Sequence, residues 1–231
     1  MMKTLVALLG MLVLGGCANA HDPTDPFEPF NRSMYNFNNK VDKNVVKPVA
    51  QGYVKVVPSV GRIMISNFFS NLDDATVTLN DLLQFKLVQG VSDGMRFVVN
   101  STIGAFGLID VATPGGLVKH NQDFGQTLGV WGIGSGPYVV IPVLGPSTIR
   151  DGVGLYVDDR YDPAKLDAYV PHVDTLIANG VQTRAGLLDG EQILDTAAVD
   201  PYAFMRDTYL LHRKSLVSGG KSPKINYDED N

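Results

Sequence analysis

The chain has 231 residues, 45% of them hydrophobic, and a formal net charge of −5. That apolar content excludes a disordered chain, and the length suffices for one medium domain or two small ones. Lys and Arg are scattered rather than clustered, which argues against a DNA or RNA partner.

The first residues have the make-up of a signal sequence: Lys3, then the apolar run Leu5 to Leu14. The run is too short for a spanning helix, which needs about 20 residues. It ends in Leu14-Gly15-Gly16-Cys17, which resembles a bacterial lipobox. Residues 1–16 are therefore expected to be removed. Cys17 then becomes the N-terminus, with diacylglycerol on sulfur and a further acyl chain on nitrogen. It is the only Cys, so no disulfide can form within the chain. Each buried CH₂ contributes about 0.8 kcal/mol, so several acyl chains anchor the protein effectively for good. Residues 17–25 are read as a lipidated linker. Ala18, where Asp is absent, resembles lipoproteins sorted to the outer membrane.

Pro26 and Pro29 keep the next residues extended. Phe30, Met34, Phe37, Val41 and Val45 then fall at helical spacing, with Pro48 expected to end the helix. A second element, Val49 to Val57, stops before Pro58. A third is predicted over Ser59 to Phe69. A fourth, Leu72 to Phe85, takes Asn71 as N-cap and Asp73 and Asp74 in its first turn, where the helix dipole favours negative charge. Val88 to Thr102 forms a fifth, in which Gly90 and Gly94 share a face and permit close approach of a neighbour.

The middle is different. Residues 104–116 are rich in Gly and apolar side chains, Phe124 to Trp131 reads as a short helix, and Gly132 to Pro137 must be irregular. Tyr138 to Ile141 is an extended run, and Ser147 is expected to cap a helix reaching Val157. Asp162-Pro163 marks a turn. Val173, Leu176, Ile177, Val181, Arg184, Leu187 and Leu188 define another helix. A last helix starts with Asp200 as N-cap and Pro201 at its first position, with Tyr202, Met205, Tyr209 and His212 on one side. The expected division is a signal (1–16), the linker, a helical domain over 26–217 and a disordered tail over 218–231.

This is a mainly α chain of short amphipathic helices. Past the signal, no segment has 18 consecutive apolar residues, so no conventional spanning helix is expected. The apolar faces can pack a water-soluble core or lie in a bilayer interface, and periodicity does not choose between them.

Catalytic signals are missing. His21, His120, His172 and His212 form no metal-binding pattern, and there is no G-x-S-x-G nucleophile elbow. The stretch Gly132 to Gly136 is G-x-G-x-G followed by Pro137, not a dinucleotide fingerprint. The neighbours Asp73-Asp74 and Asp158-Asp159 point about 100° apart on a helix, so capping is expected rather than acid–base work. Neither an enzyme nor a cofactor is expected. Gly129, Gly132, Gly134 and Gly136 allow backbone angles closed to other residues, which suits a tight loop or a hinge beside a pore.

Ordered blocks then give a resemblance. Asp25-Pro26-Phe27-Glu28-Pro29-Phe30-Asn31-Arg32, Met34-Tyr35-Asn36-Phe37-Asn38, Ser66-Asn67-Phe68-Phe69-Ser70-Asn71-Leu72 and Asn100-Ser101-Thr102-Ile103-Gly104 resemble the VacJ/MlaA lipoproteins. So do Asp123-Phe124-Gly125-Gln126-Thr127-Leu128-Gly129, Gly134-Ser135-Gly136-Pro137-Tyr138, Arg150-Asp151 and Asp200-Pro201-Tyr202. The likeness covers about Asp25 to Arg213.

It implies a ring of amphipathic helices embedded in one leaflet around a central amphipathic channel, with short Gly/Pro-rich irregular segments. The implied function is removal of mislocalised phospholipid from the outer leaflet of the outer membrane, without covalent chemistry. The lipid passes to a soluble periplasmic carrier that feeds an inner-membrane ABC transporter. The implied place is the periplasmic side of the outer membrane, in its inner leaflet and beside a trimeric porin. A charged headgroup in hydrocarbon costs several kcal/mol, and a polar lumen would remove that cost. Asn36, Phe37, Asn67, Asn71, Arg96 and Asn100 are candidates for the channel and its gating, against an alternative of caps and satisfied core contacts. Gly132, Gly134 and Gly136 are hinge candidates. The competing readings are an inert porin-bound lipoprotein and a phospholipase.

Overall fold

The computed structural model describes residues 25–161, 172–188 and 200–219. The signal, Cys17, His21, the linker before Asp25, the Asp162-Pro163 turn and the tail beyond residue 219 lie outside the described residues. So do the side chains of Val173 and Leu176.

The chain opens with α1 (Glu28–Val41), continues through a π-turn at Asp42–Val46 and runs on into α2 (Lys47–Val56). Pro48 therefore does not end the first helix. A proline inside a helix lacks an N–H and crowds the preceding turn. Here the turn just before it is widened, with the Lys47 N–H donating to the Asp42 carbonyl five residues back. Helix α3 (Ser59–Leu83) is one helix of 25 residues where two were expected. Asn71 is buried in its middle rather than capping, and Asp73 and Asp74 are far from any first turn. Helix α4 (Leu87–Thr102) follows after a tight turn at Phe85, whose φ is +60°.

An irregular segment, residues 103–123, leads to α5 (Phe124–Val130), whose N-cap Asp123 accepts from the Gln126 N–H. Strands β1 (Tyr138–Ile141) and β2 (Gly145–Thr148) form an antiparallel hairpin with Ile141 opposite Gly145. Ser147 is thus in a strand, and it is Thr148 whose hydroxyl accepts from the Asp151 N–H at the start of α6 (Ile149–Tyr161). Helices α7 (His172–Leu187) and α8 (Pro201–Val217) complete the described fold. Asp200 caps α8 as expected, accepting from Tyr202 and Ala203.

Helix α3 packs on α4, α5 on α6, and α2 on α7. Gly90 and Gly94 make the first contact possible: a Cβ at Gly90 would sit 3.1 Å from the Leu82 side chain, and one at Gly94 3.3 Å from Thr78. The apolar core is small. Tyr138, Val140 and Tyr202 form it, with Met34, Tyr35, Met205, Tyr209 and Leu210 around them, where α1, β1 and α8 meet. His212 does not join that face and is exposed.

The distribution of polarity is inverted. Among the described residues seven apolar side chains are buried, against sixteen polar or charged ones. Buried interiors are normally apolar, so the excess identifies what the interior is built from. On α4, Asp93, Arg96 and Asn100 face inward while Val88, Val91, Met95 and Val98 face out, Val88 at 87% exposure. On α3, Asn71, Asp74, Asn80 and Asp81 face inward, as does Gln84 at its C-cap, and Leu79 and Leu82 face out. On α1, Asn31 is buried and Phe30 and Phe37 are exposed. No described helix is long and apolar enough to cross a membrane.

Candidate functional site

The polar interior has three connected parts. The first is the seam between α3 and α4. Polar side chains recur at helical spacing on both helices, so each presents a stripe of charge and amide to the other. Arg96, 2% exposed, lies 3.4 Å from Asp74 and 3.6 Å from Asp110, and donates to Thr113 Oγ1 and the Leu117 carbonyl. Lys119 completes the pairing of Asp74 at 2.6 Å and reaches Asp73 at 2.9 Å.

Asn100 donates to Asp110 and accepts from the Val111 and Ala112 N–H groups. Asn71 donates to Ser101 Oγ, and Asn67 to the Leu108 carbonyl. Four of the predicted site residues thus come together beneath residues 104–117 and hold that irregular segment to the helix pair. Gly107 is required there. Its φ is +84°, and a Cβ would sit 2.6 Å from the Asn71 amide. Asp74 is an ion-pair partner of this seam, which corrects the expected capping role.

At the far end of the seam Asp81 and Asp93, both 0% exposed, face each other. Gln89 donates to Asp81, and His120 Nδ1 is 2.8 Å from Asp93. Burial, then the neighbouring Asp93, pushes the Asp81 carboxyl up to about 7. Two carboxyl groups in such proximity do not both ionise easily.

The second part is a chamber where α3, α5, α6, the hairpin and α8 converge. Arg213 binds Asp123 through two nitrogens and Asp151 through Nε and Nη2 at 3.0 and 2.8 Å. Arg150 also pairs with Asp151, at 2.8 Å, and Tyr209 donates to it. Burial alone would push the Asp123 and Asp151 carboxyls up, but the hydrogen bonds and charge of Arg213 outweigh it and hold both low.

Asp158 lies beside them under different conditions. It accepts from the Phe124 N–H at 2.8 Å and from Asn80 at 3.0 Å, so it closes the start of α5 from another element. Burial dominates and pushes it up to about 6, with Asp123 and Asp73 adding to the rise. Asn80 in turn accepts from Thr127, and Gln84 donates to Thr127. Two cavities flank Asp158. One of about 220 Å³ is lined by the Asp123, Asp151 and Asp158 carboxylates, Tyr209, Arg213 and the hairpin. The other, of about 260 Å³, is lined by Leu79, Leu83, Phe124 and Val157.

The third part joins α1 to the hairpin. Asn31 and Asn38, seven residues apart, point the same way, and each presents an amide to the hairpin backbone. Asn31 donates to the Tyr138 carbonyl and accepts from the Val140 N–H. Asn38 donates to the Ile141 carbonyl and accepts from the Val143 N–H at 2.7 Å. Val143 has φ +68°, a strained angle for a β-branched residue, and the second bond offsets part of that cost. Asn36 and Phe37 lie between the two clamps on the exposed side of α1, away from the seam. Gly132, Gly134 and Gly136 lie in a third place, the exposed loop between α5 and β1. Positive φ explains glycine at Gly132 and Gly136, whereas a Cβ at Gly134 would meet nothing within 4 Å.

Sequence reasoning assigned no role to Asp81, Asp93, Asn80 or Arg213. For Asn80, Asp81 and Asp93 the signal is a polar stripe on α3 and α4, as periodic as the apolar one, whereas Arg213 on α8 belongs to no such stripe. Among the described residues no group of three or more His, Cys, Asp or Glu side chains is arranged to hold a metal ion.

Comparison with known proteins follows the same lines. The family model for the MlaA lipoprotein matches residues 23–216. The intermembrane phospholipid transport system lipoprotein MlaA of Escherichia coli K12 is 37% identical over 221 residues, covering 92% of this chain and 88% of that one. Its counterpart of the same name in Haemophilus influenzae is 32% identical over 235 residues, covering 95% and 93%. A solved structure concerned with the structural basis for maintenance of bacterial outer membrane lipid asymmetry matches with a TM-score of 0.76 and 35% identity, over 84% of this chain and 98% of that one.

Proposed function

The chain belongs to the MlaA lipoprotein family, and from that membership we propose that it removes mislocalised phospholipid from the outer leaflet of the outer membrane and so maintains lipid asymmetry. The observation that carries the reading is the inverted fold: a polar interior of Asp, Asn, Arg and Gln side chains inside a surface of exposed Val, Leu, Ile and Phe. Such a surface suits hydrocarbon rather than water. An interior of that kind suits a headgroup, which would otherwise cross oil at a cost of several kcal/mol.

In this reading the helices form a ring in the inner leaflet, anchored through Cys17. Phospholipid enters from above and leaves toward a soluble periplasmic carrier, with a trimeric porin alongside. Nothing covalent happens to the lipid, so direction comes from the carrier and the ABC transporter beyond it. Asn67, Asn71, Arg96 and Asn100 shape the polar wall by holding residues 104–117 in place. Asn36 and Phe37 act on gating through α1, and Gly132, Gly134 and Gly136 act as a hinge.

The test is reconstitution of the lipidated chain with porin in vesicles carrying labelled phospholipid in one leaflet, with soluble carrier outside. The expected result is label appearing intact on the carrier only when the chain is present. Label that stays in the membrane favours a structural, porin-bound lipoprotein. Release of free fatty acid favours a phospholipase.

A further inference from the structure

The two cavities that meet at Asp158 differ in chemistry, and the charges around the first do not balance. Asp123 and Asp151 are matched by Arg213 and Arg150, two carboxylates against two guanidinium groups. Asp158 also lines that cavity, and among the described residues no cation pairs with it. Its donors are one backbone N–H and the Asn80 amide. The cavity therefore carries about one uncompensated negative charge. A partly buried carboxylate without a counter-ion is costly, and its raised titration reflects that cost. On the other side of Asp158 the second cavity offers Leu79, Leu83, Phe124 and Val157 and little polar surface.

We propose that these adjoining cavities form a phospholipid subsite selective for a headgroup bearing an ammonium ion, with the ammonium on Asp158 in the first cavity and acyl chain in the second. The assignment rests on the transport reading above, since it names the lipid class the same interior receives. Arg213 does not select for an anionic headgroup, because both of its faces are already occupied by carboxylates. A net anionic lipid brings a second negative charge to the cavity and nothing to neutralise it. A zwitterionic lipid brings the missing cation. Tyr209 is committed to Asp151, which leaves Asp158 as the discriminating group.

The experiment offers the purified lipidated chain equal amounts of phosphatidylethanolamine and phosphatidylglycerol in mixed micelles and measures retained lipid by mass spectrometry. Wild type is expected to retain phosphatidylethanolamine in roughly tenfold excess, as a charge-assisted hydrogen bond provides. Asp158→Asn keeps the shape and the acceptor for Phe124, and is expected to bring the ratio near one. Asp158→Glu keeps the charge and is expected to keep a preference. Leu83→Trp, which fills the apolar cavity, is expected to lower total lipid without inverting the ratio. Equal retention by wild type, or a ratio unchanged in Asp158→Asn, overturns the subsite. Should Asp158→Asn not fold, the wild-type ratio together with the Leu83→Trp result still decides. Selective retention without delivery to a carrier leaves the subsite standing and sinks the transport reading instead.

Discussion

Arg213 holds two carboxylates, and its loss leaves Asp151, 7% exposed, without half of its cover. Arg213→Ala is expected to cost about 3–5 kcal/mol, the penalty for breaking a buried ion pair on one side. Denaturant unfolding reads it directly. Arg213→Lys restores the charge but not the fork, so it is expected to recover only part. Glycine positions separate into two kinds. A Cβ at Gly154 would sit 2.2 Å from the Gly125 backbone nitrogen, so Gly154→Ala must push α5 from α6 and is expected to cost about 1–3 kcal/mol or more. Gly134→Ala meets open space and is expected to leave stability within about 0.5 kcal/mol. If Gly134 is part of a hinge, the same substitution lowers lipid flux, and unchanged flux removes it from the hinge. The sequence drew attention to Gly132, Gly134 and Gly136 because they cluster. Gly154 and Gly107 stand apart, and nothing local announces which neighbour will approach an isolated glycine.

Helix α1 makes a sharper test of how an element transmits change. Asn31 and Asn38 fasten it to the hairpin at two points, with Asn36 and Phe37 between them. Deleting Phe37 turns Asn38 by about 100° relative to Asn31, so the second clamp is lost while the first holds. Val143 then keeps its strained φ without its side-chain acceptor. The expected outcome is altered gating, seen as an abnormal level of outer-leaflet phospholipid, with Asn36→Ala weaker than the deletion. Normal levels in both variants would remove these residues from the gate. Most helices here were legible from apolar spacing, and Asp200-Pro201 marked the start of α8 correctly. Boundaries failed where a local rule met a tertiary compensation. A π-turn carries the chain past Pro48, and Asn71 finds Ser101 across the seam instead of a helix start. The pairing of β2 was not visible, because Gly145-Pro146-Ser147-Thr148 has no strand pattern and is held by β1.

For the whole molecule, the charged interior gives stability an unusual pH dependence. Asp81 and Asp158 are held high, at about 7 and about 6, while Asp123, Asp151 and Asp200 are held low. A group held high binds its proton more tightly in the native state, so it adds stability as pH falls through its native value toward 3.8. The groups held low stabilise above that ordinary value and lose their contribution below it. Stability is therefore expected to peak on the acid side of neutrality. The melting temperature should be higher at about pH 5 than at about pH 7.5, with Asp81→Asn reducing the difference. A melting temperature at about pH 5 that is no higher than at about pH 7.5 contradicts the assignment.

Periodicity reveals an apolar face on most of the helices, but it carries no information about whether water, protein or lipid covers that face. The inverted interior supplies it, and the most direct test is where the outer faces lie. Spin labels at Val88, Val91 and Val98, in protein reconstituted into bilayers, are predicted to collide with oxygen and to be shielded from a water-soluble nickel chelate. Ready access of the chelate to these three sites, matching a label at Lys43, would contradict the account.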